Sequence, residues 1–160
     1  MKTLLLARHA KSDWGVLGLA DHDRPLNARG RRDAPAMARR LVDEGVRVDV
    51  IVSSTAVRAR STAEEYAAAS GAEIIEEPSL YAASARAILA IAADLPDDAD
   101  VAMLVGHNPG MTDAVEELTG AFEELPTGAI AECAVDIGSW AELIEGAGRL
   151  LRVRAPRDGV

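Results

Sequence analysis

Short apolar runs alternate with longer amphipathic stretches along most of this chain. Residues 3–7 are apolar and bounded by charge, the pattern of a buried strand. Residues 48–53 and 101–105 have the same character, and residues 73–76 form a shorter run around Ile74 and Ile75. Between them lie helical periods. Over residues 30–44, Ala34, Met37, Ala38, Leu41 and Val42 share one face, and Gly45 supplies a stop. An Ala-rich helix is predicted over about 56–69, ended by Gly71. Another covers 84–95, with Ser84 as N-cap and Pro96 just past its end. A further helix is predicted at 111–118, a strand at 130–137, a short helix at 140–145 and a last strand at 149–154.

Strand–helix alternation of this kind implies an α/β fold, a three-layer α/β/α sandwich around a mostly parallel sheet. The final strands pair antiparallel or lie on an edge. No repeat, low-complexity tract or linker interrupts the pattern, so residues 1–160 are expected to form a single domain with one sizeable core.

Composition narrows the function classes. The chain is 49% hydrophobic and 27% charged, which suits a folded protein. A formal net charge of −9 argues against nucleic-acid and anionic-membrane partners, which need a basic face. A small basic pocket remains compatible with it. Cys133 is the single cysteine, so no intrachain disulfide can form, and it reads as a small core residue. The opening leucines are too few for a signal peptide, and no apolar run approaches the ~20 residues of a membrane helix. A cytoplasmic location is therefore expected.

Chemistry concentrates where the apolar runs stop. The first ends at Arg8-His9. The second runs through Ser53-Ser54 into Arg58, and the 101–105 run leads to Gly106-His107. In an open parallel sheet the C-terminal strand ends share one edge, where ligands bind, so Arg8, His9, Arg58 and His107 can meet there. Two arginines and two histidines without metal-ligand spacing suit a phosphoryl group. Arginine forks hold phosphate oxygens, one histidine can attack phosphorus, and the other can donate to an oxygen. Ser12 is a candidate phosphate contact or loop-fixing residue. Asp21-His22-Asp23 reads as a solvated loop rather than a metal site, Arg60 as a surface residue and Trp14 as loop packing at the pocket rim.

At this point the chain resembles the histidine phosphatase superfamily, the phosphoglycerate-mutase-like group. Leu6-Ala7-Arg8-His9-Ala10 resembles its Arg-His-Gly signature, with Ala10 in place of Gly. Asp23-Arg24-Pro25-Leu26-Asn27-Ala28-Arg29-Gly30 resembles its next block, residues 54–63 its Ser-x-x-x-Arg-Ala-x-x-Thr-Ala block, and Gly106-His107 its second histidine. Within the superfamily the Arg-His-Ala-Lys-Ser form and Val105-Gly106-His107-Asn108-Pro109 are most similar to SixA-type phosphohistidine phosphatases.

The resemblance implies that His9 is the nucleophile and is transiently phosphorylated. Arg8, Arg58 and His107 complete the phosphate pocket, and neither metal nor cofactor is required. To attack, His9 must be neutral, with its other ring nitrogen donating to a fixed acceptor such as a backbone carbonyl. The chain departs from the family where a glutamate usually serves as general acid after the third strand. Residues 76–83 lack the Glu-rich continuation, and Glu77, Asp21 and Asp23 are the remaining candidates. Gly15 also stands where the family often has Asn. A missing acid favours a P–N substrate, because an alkoxide needs a proton as it leaves whereas a ring-protonated phosphohistidine releases neutral imidazole. The expected function is dephosphorylation of phosphohistidine on a partner protein. A small-molecule phosphomonoesterase and a catalytically silent phosphate-binding module are the alternatives.

Overall fold

Leu4, Leu5 and Leu6 point alternately to the two faces of a central strand, and that alternation divides the core. Leu4 and Leu6 pack with one apolar cluster, Leu5 and Ala7 with another. The computed structural model describes residues 1–157. Six strands, β1 (Lys2–Arg8), β2 (Val50–Ser53), β3 (Glu73–Glu76), β4 (Val101–Gly106), β5 (Ile130–Val135) and β6 (Gly148–Arg154), form one sheet in the order β3-β2-β4-β1-β5-β6. The first four run parallel; β5 and β6 add antiparallel at one side, β6 as the edge strand.

Four helices cover the two faces. Met37, Ala38 and Leu41 of α1 (Ala28–Asp43) and Ala59, Ala63 and Tyr66 of α2 (Val57–Ser70) close one face. Ile88 and Ala92 of α3 (Ala85–Ala93) and Met111, Val115 and Leu118 of α4 (Gly110–Thr119) close the other. This is the α/β/α sandwich that the pattern predicts. No helix among the described residues is long and apolar enough to cross a membrane.

Two boundaries differ from the reading of the sequence for local reasons. Helix α1 starts two residues early because the Asn27 side chain accepts from the Gly30 amide and caps it. The predicted helix at 140–145 shrinks to one 3₁₀ turn, Trp140–Glu142, where Ser139 and Glu142 form a capping box.

Topology also decides where a crevice opens. β1 and β4 are parallel neighbours, yet the chain leaving β1 builds α1 on one face and the chain leaving β4 builds α4 on the other. Adjacent strand ends whose connections depart to opposite sides leave a gap at the carboxyl edge. Register levels the residues there, with Arg8 opposite Gly106 and Ser53 opposite Val105. Gly30 sets one wall of the gap. A Cβ at Gly30 would lie 2.1 Å from the Lys11 carbonyl oxygen, so only glycine lets α1 press against the loop leaving β1.

Candidate active site

His9 follows β1 directly, and its backbone is pinned on both sides. Its amide donates to Gly106 O at 3.1 Å, and its carbonyl accepts from the Gly128 amide at 2.8 Å. The ring is buried, with Nδ1 2.7 Å from the Ala10 carbonyl oxygen. A carbonyl can only accept, so Nδ1 carries the hydrogen and the lone pair of the neutral ring sits on Nε2. Burial pushes the His9 pKa down to about 3. The Ala10 hydrogen bond opposes that shift, and the charges of His107, Arg58 and Arg8 add to it.

His107 follows β4, its ring centre 5.1 Å from that of His9. Its Nε2 lies 2.8 Å from Ser54 Oγ, the residue after β2, so the ends of β1, β2 and β4 meet. Burial, then the Arg58 charge, lowers the His107 pKa to about 4, with Asp21 opposing. Both histidines are therefore neutral near pH 7. Once the substrate phosphate's own ionisation near about pH 6 is divided out, the acid limb of kcat/KM should lie near pH 4 or below. An enzyme-borne limb at the ordinary histidine value of 6.5 would contradict this placement.

Two arginines face the same gap. Arg8 donates through Nη1 to Leu125 O at 2.8 Å. Arg58, in the first turn of α2, is 5% exposed, and both its outer nitrogens are engaged by Asp21, Nη1 to the carbonyl at 2.7 Å and Nη2 to Oδ2 at 3.0 Å. The cavity these groups enclose measures about 270 Å³ and includes Ser12 and Lys11 in its wall.

The three carboxylates proposed as general acid fare differently. Asp21 reaches the cavity wall but is fixed as an anion. Tyr81 OH donates to it at 2.5 Å, and the Arg24 and Arg58 guanidinium groups flank it at 3.0 Å each. The Tyr81 hydrogen bond first, then those of the two arginines, holds this carboxyl well below the usual range, so it has no proton to give near neutral pH. Glu77 is spent on the 3₁₀ turn Pro78–Leu80, accepting from the Ser79 amide and hydroxyl. Asp23 is 3.7 Å from His22 Nδ1 and outside the cavity wall.

Sequence reasoning missed Arg24 and Tyr81. Arg24 is buried, donates to Ser12 Oγ at 2.6 Å and stacks 3.4 Å from the centre of the exposed Trp14 ring. Ser12 is thus held by an arginine as well as set at the cavity. Tyr81 meets the His107 ring edge-on at 5.4 Å. A signal was available for Arg24 in the Asp23-Arg24-Pro25-Leu26 block, but none for Tyr81, which lies in a stretch scanned for carboxylates. Among the described residues no three His, Cys, Asp or Glu side chains are grouped to hold a metal ion.

The profile of the histidine phosphatase superfamily (branch 1) matches residues 4–87. The chain belongs to that superfamily. The match takes in Arg8, His9 and Arg58; His107 lies beyond it and joins them through β4. An uncharacterized protein of Mycobacterium tuberculosis is 33% identical over 163 residues, spanning 94% of this chain and 99% of that one. A structure assigned as the phosphohistidine phosphatase SixA of Nakamurella multipartitia is 33% identical, covers 97% of this chain and 96% of its own, and superposes with a TM-score of 0.84. Its counterpart from Agrobacterium tumefaciens is 30% identical over 98% and 99%, with a TM-score of 0.83. The chain is accordingly a SixA-like phosphatase of the histidine phosphatase superfamily.

Proposed function

We propose that this phosphatase works through a covalent phosphohistidine at His9, without a metal, and that its preferred substrate is phosphohistidine on a partner protein. One observation carries the proposal. Arg8 Nε, Arg58 Nε and His107 Nδ1 are buried and have no hydrogen-bond partner, although each belongs to a side chain lining the cavity around His9. An unsatisfied buried donor costs about 1–3 kcal/mol. A phosphoryl group in that cavity brings oxygens beside all three side chains.

The chemistry follows from the tautomers. Ser54 Oγ accepts from the Ala56 amide at 3.2 Å, and the pairing that uses its own hydrogen has it donate to His107 Nε2. His107 Nδ1 then carries the ring hydrogen and serves as a neutral donor. His9 Nε2 attacks phosphorus in line, and the bond to the leaving group breaks on the far side. Arg8, Arg58 and His107 neutralise the charge spread over the equatorial oxygens. The phosphorylated His9 ring keeps its Nδ1 hydrogen on Ala10 O and is cationic, which makes it a good leaving group. Water then adds to phosphorus, the P–N bond breaks, and inorganic phosphate departs with the His9 ring neutral again.

The substrate class rests on the proton inventory. Asp21 is held ionised, and Glu77 is engaged elsewhere. An alkoxide leaving group lacks a poised donor here, while a phosphohistidine protonated on its far ring nitrogen leaves as imidazole. The likeness to chains assigned as phosphohistidine phosphatases supports the same reading.

Its test compares a phosphohistidine peptide with a phosphoserine peptide and a sugar phosphate. The P–N substrate should lead by about 10²-fold or more in kcat/KM, the size of one general-acid contribution. Faster turnover of the esters would instead favour a small-molecule phosphomonoesterase. Phosphate binding with no turnover of any substrate would favour a silent module.

A further inference from the structure

A second concavity, about 1090 Å³, runs along the outer side of α1 and the segment after β6. On a chain of net charge −9 its wall is rich in arginine: Arg29, Arg32, Arg39, Arg40 and Arg157. Of the three wall carboxylates among the described residues, two are already engaged, Asp33 by Arg29, and Glu44 by Arg40 and Arg154. Arg32 and Arg39 are exposed and make no ion pair among the described residues, with Asp43 the remaining wall carboxylate. Seven residues apart, they stand two helical turns from each other on one face, roughly 10 Å along the axis.

The walls are tied to the sheet by ion pairs and hydrogen bonds and reach the catalytic rim. Arg154, 2% exposed, ties the end of β6 to Glu44 of the α1 C-cap at 2.6 Å and to Glu132 of β5 at 2.7 Å. Arg40 donates to Ala155 O at 3.1 Å. Pro156 packs over Gly128, where a Cβ would lie 2.9 Å from its Cγ and 3.8 Å from Ala10 Cα. Gly128 holds the His9 carbonyl, and its neighbour Thr127 lines the catalytic cavity. At the other wall, Gly30 in the first turn of α1 abuts Lys11, also a cavity residue. Both walls of the groove thus adjoin residues that line or support the catalytic cavity.

We propose that this groove docks an acidic segment of the phosphorylated partner, next to its phosphohistidine; the inference rests on the protein substrate proposed above. The groove is four times the size of the catalytic cavity, far more than a lone anion fills. The length of α1, roughly 24 Å at 1.5 Å per residue, matches about seven residues of extended chain. Guanidinium forks suit carboxylates. A short acidic peptide fits better than a nucleic acid, whose dense phosphate charge is repelled by the acidic remainder of the molecule.

The test uses R32E/R39E, which leaves the catalytic cavity untouched, in the full-length protein. Binding of an unphosphorylated peptide with five consecutive acidic residues, followed by fluorescence anisotropy, probes the groove without the reaction. Wild type should bind it, R32E/R39E about tenfold or more weakly, and added salt should erase the difference. In turnover, a phosphohistidine peptide with an acidic flank should have a lower KM than one with a neutral flank in wild type only. A small phosphoramidate should be hydrolysed equally by both proteins. Equal peptide binding by wild type and R32E/R39E, or an oligonucleotide that outcompetes the peptide, would overturn the docking proposal. Peptide binding that is lost in R32E/R39E, together with no turnover of any phosphohistidine peptide, would uphold the groove and overturn only the substrate reading.

Discussion

His9→Ala is expected to lower turnover of every phosphoryl substrate on the order of 10⁴-fold or more and to abolish the phosphoenzyme. The size follows from what the residue supplies. His9 Nε2 is the lone pair left free by the Ala10 contact, and the low pKa keeps it unprotonated. No other group can take over in place. His107 Nε2 is occupied by Ser54, and His107 Nδ1 is buried and best used as a donor. Phosphate binding should survive, because the neutral His9 ring contributes no charge while Arg8 and Arg58 remain. The measurement is a base-quenched single-turnover experiment, since a phosphohistidine is stable in base and lost in acid. Wild type should show an acid-labile phosphoenzyme and the variant none, with inorganic phosphate still bound. Turnover that persists in the variant would falsify the covalent mechanism.

The strand ends were legible because burial writes them into the chain. Leu4 to Ala7 must be apolar to sit between two helical layers, so Arg8 and His9 mark where the layer ends. The same logic located Arg58 and His107. What the pattern could not convey was register. Arg8 stands level with Gly106 only because β1 and β4 are neighbours, and that neighbour relation depends on crossovers that no local period encodes. The Asp21–Arg58–Tyr81 network was hidden for a related reason. Its members come from a 3₁₀ turn, a helix start and the turn after Leu80, up to 60 residues apart, and only Arg58 lies in a periodic stretch. Asp21 could be named from sequence as a carboxylate near the site. That it is an anion clamped by two arginines and a tyrosine, rather than an acid, depends on contacts no spacing predicts.

Arg58→Ala should lower kcat/KM by about 10²–10³-fold, the range for losing a positioned donor to a charged transition state. Arg58 spends both outer nitrogens on Asp21 while its Nε has no partner, so an incoming phosphoryl group meets an arginine already oriented across the cavity. Removing it strands no buried charge, since Arg24 and Tyr81 still hold Asp21; the variant should melt close to wild type. Arg58→Lys keeps a charge but not the fork and should recover only part of the loss. A pH profile separates this catalytic role from a structural one. Arg58 is among the charges that depress His9 and His107, behind burial in both cases. Deleting a neighbouring cation raises a histidine's pKa, so the acid limb of the residual kcat/KM should move upward from near pH 4 while staying below 6.5, because burial persists. A limb that stays put while activity falls would mean that Arg58 acts on phosphate without setting the charge state of the histidines; a limb that moves downward would contradict the arrangement of the site.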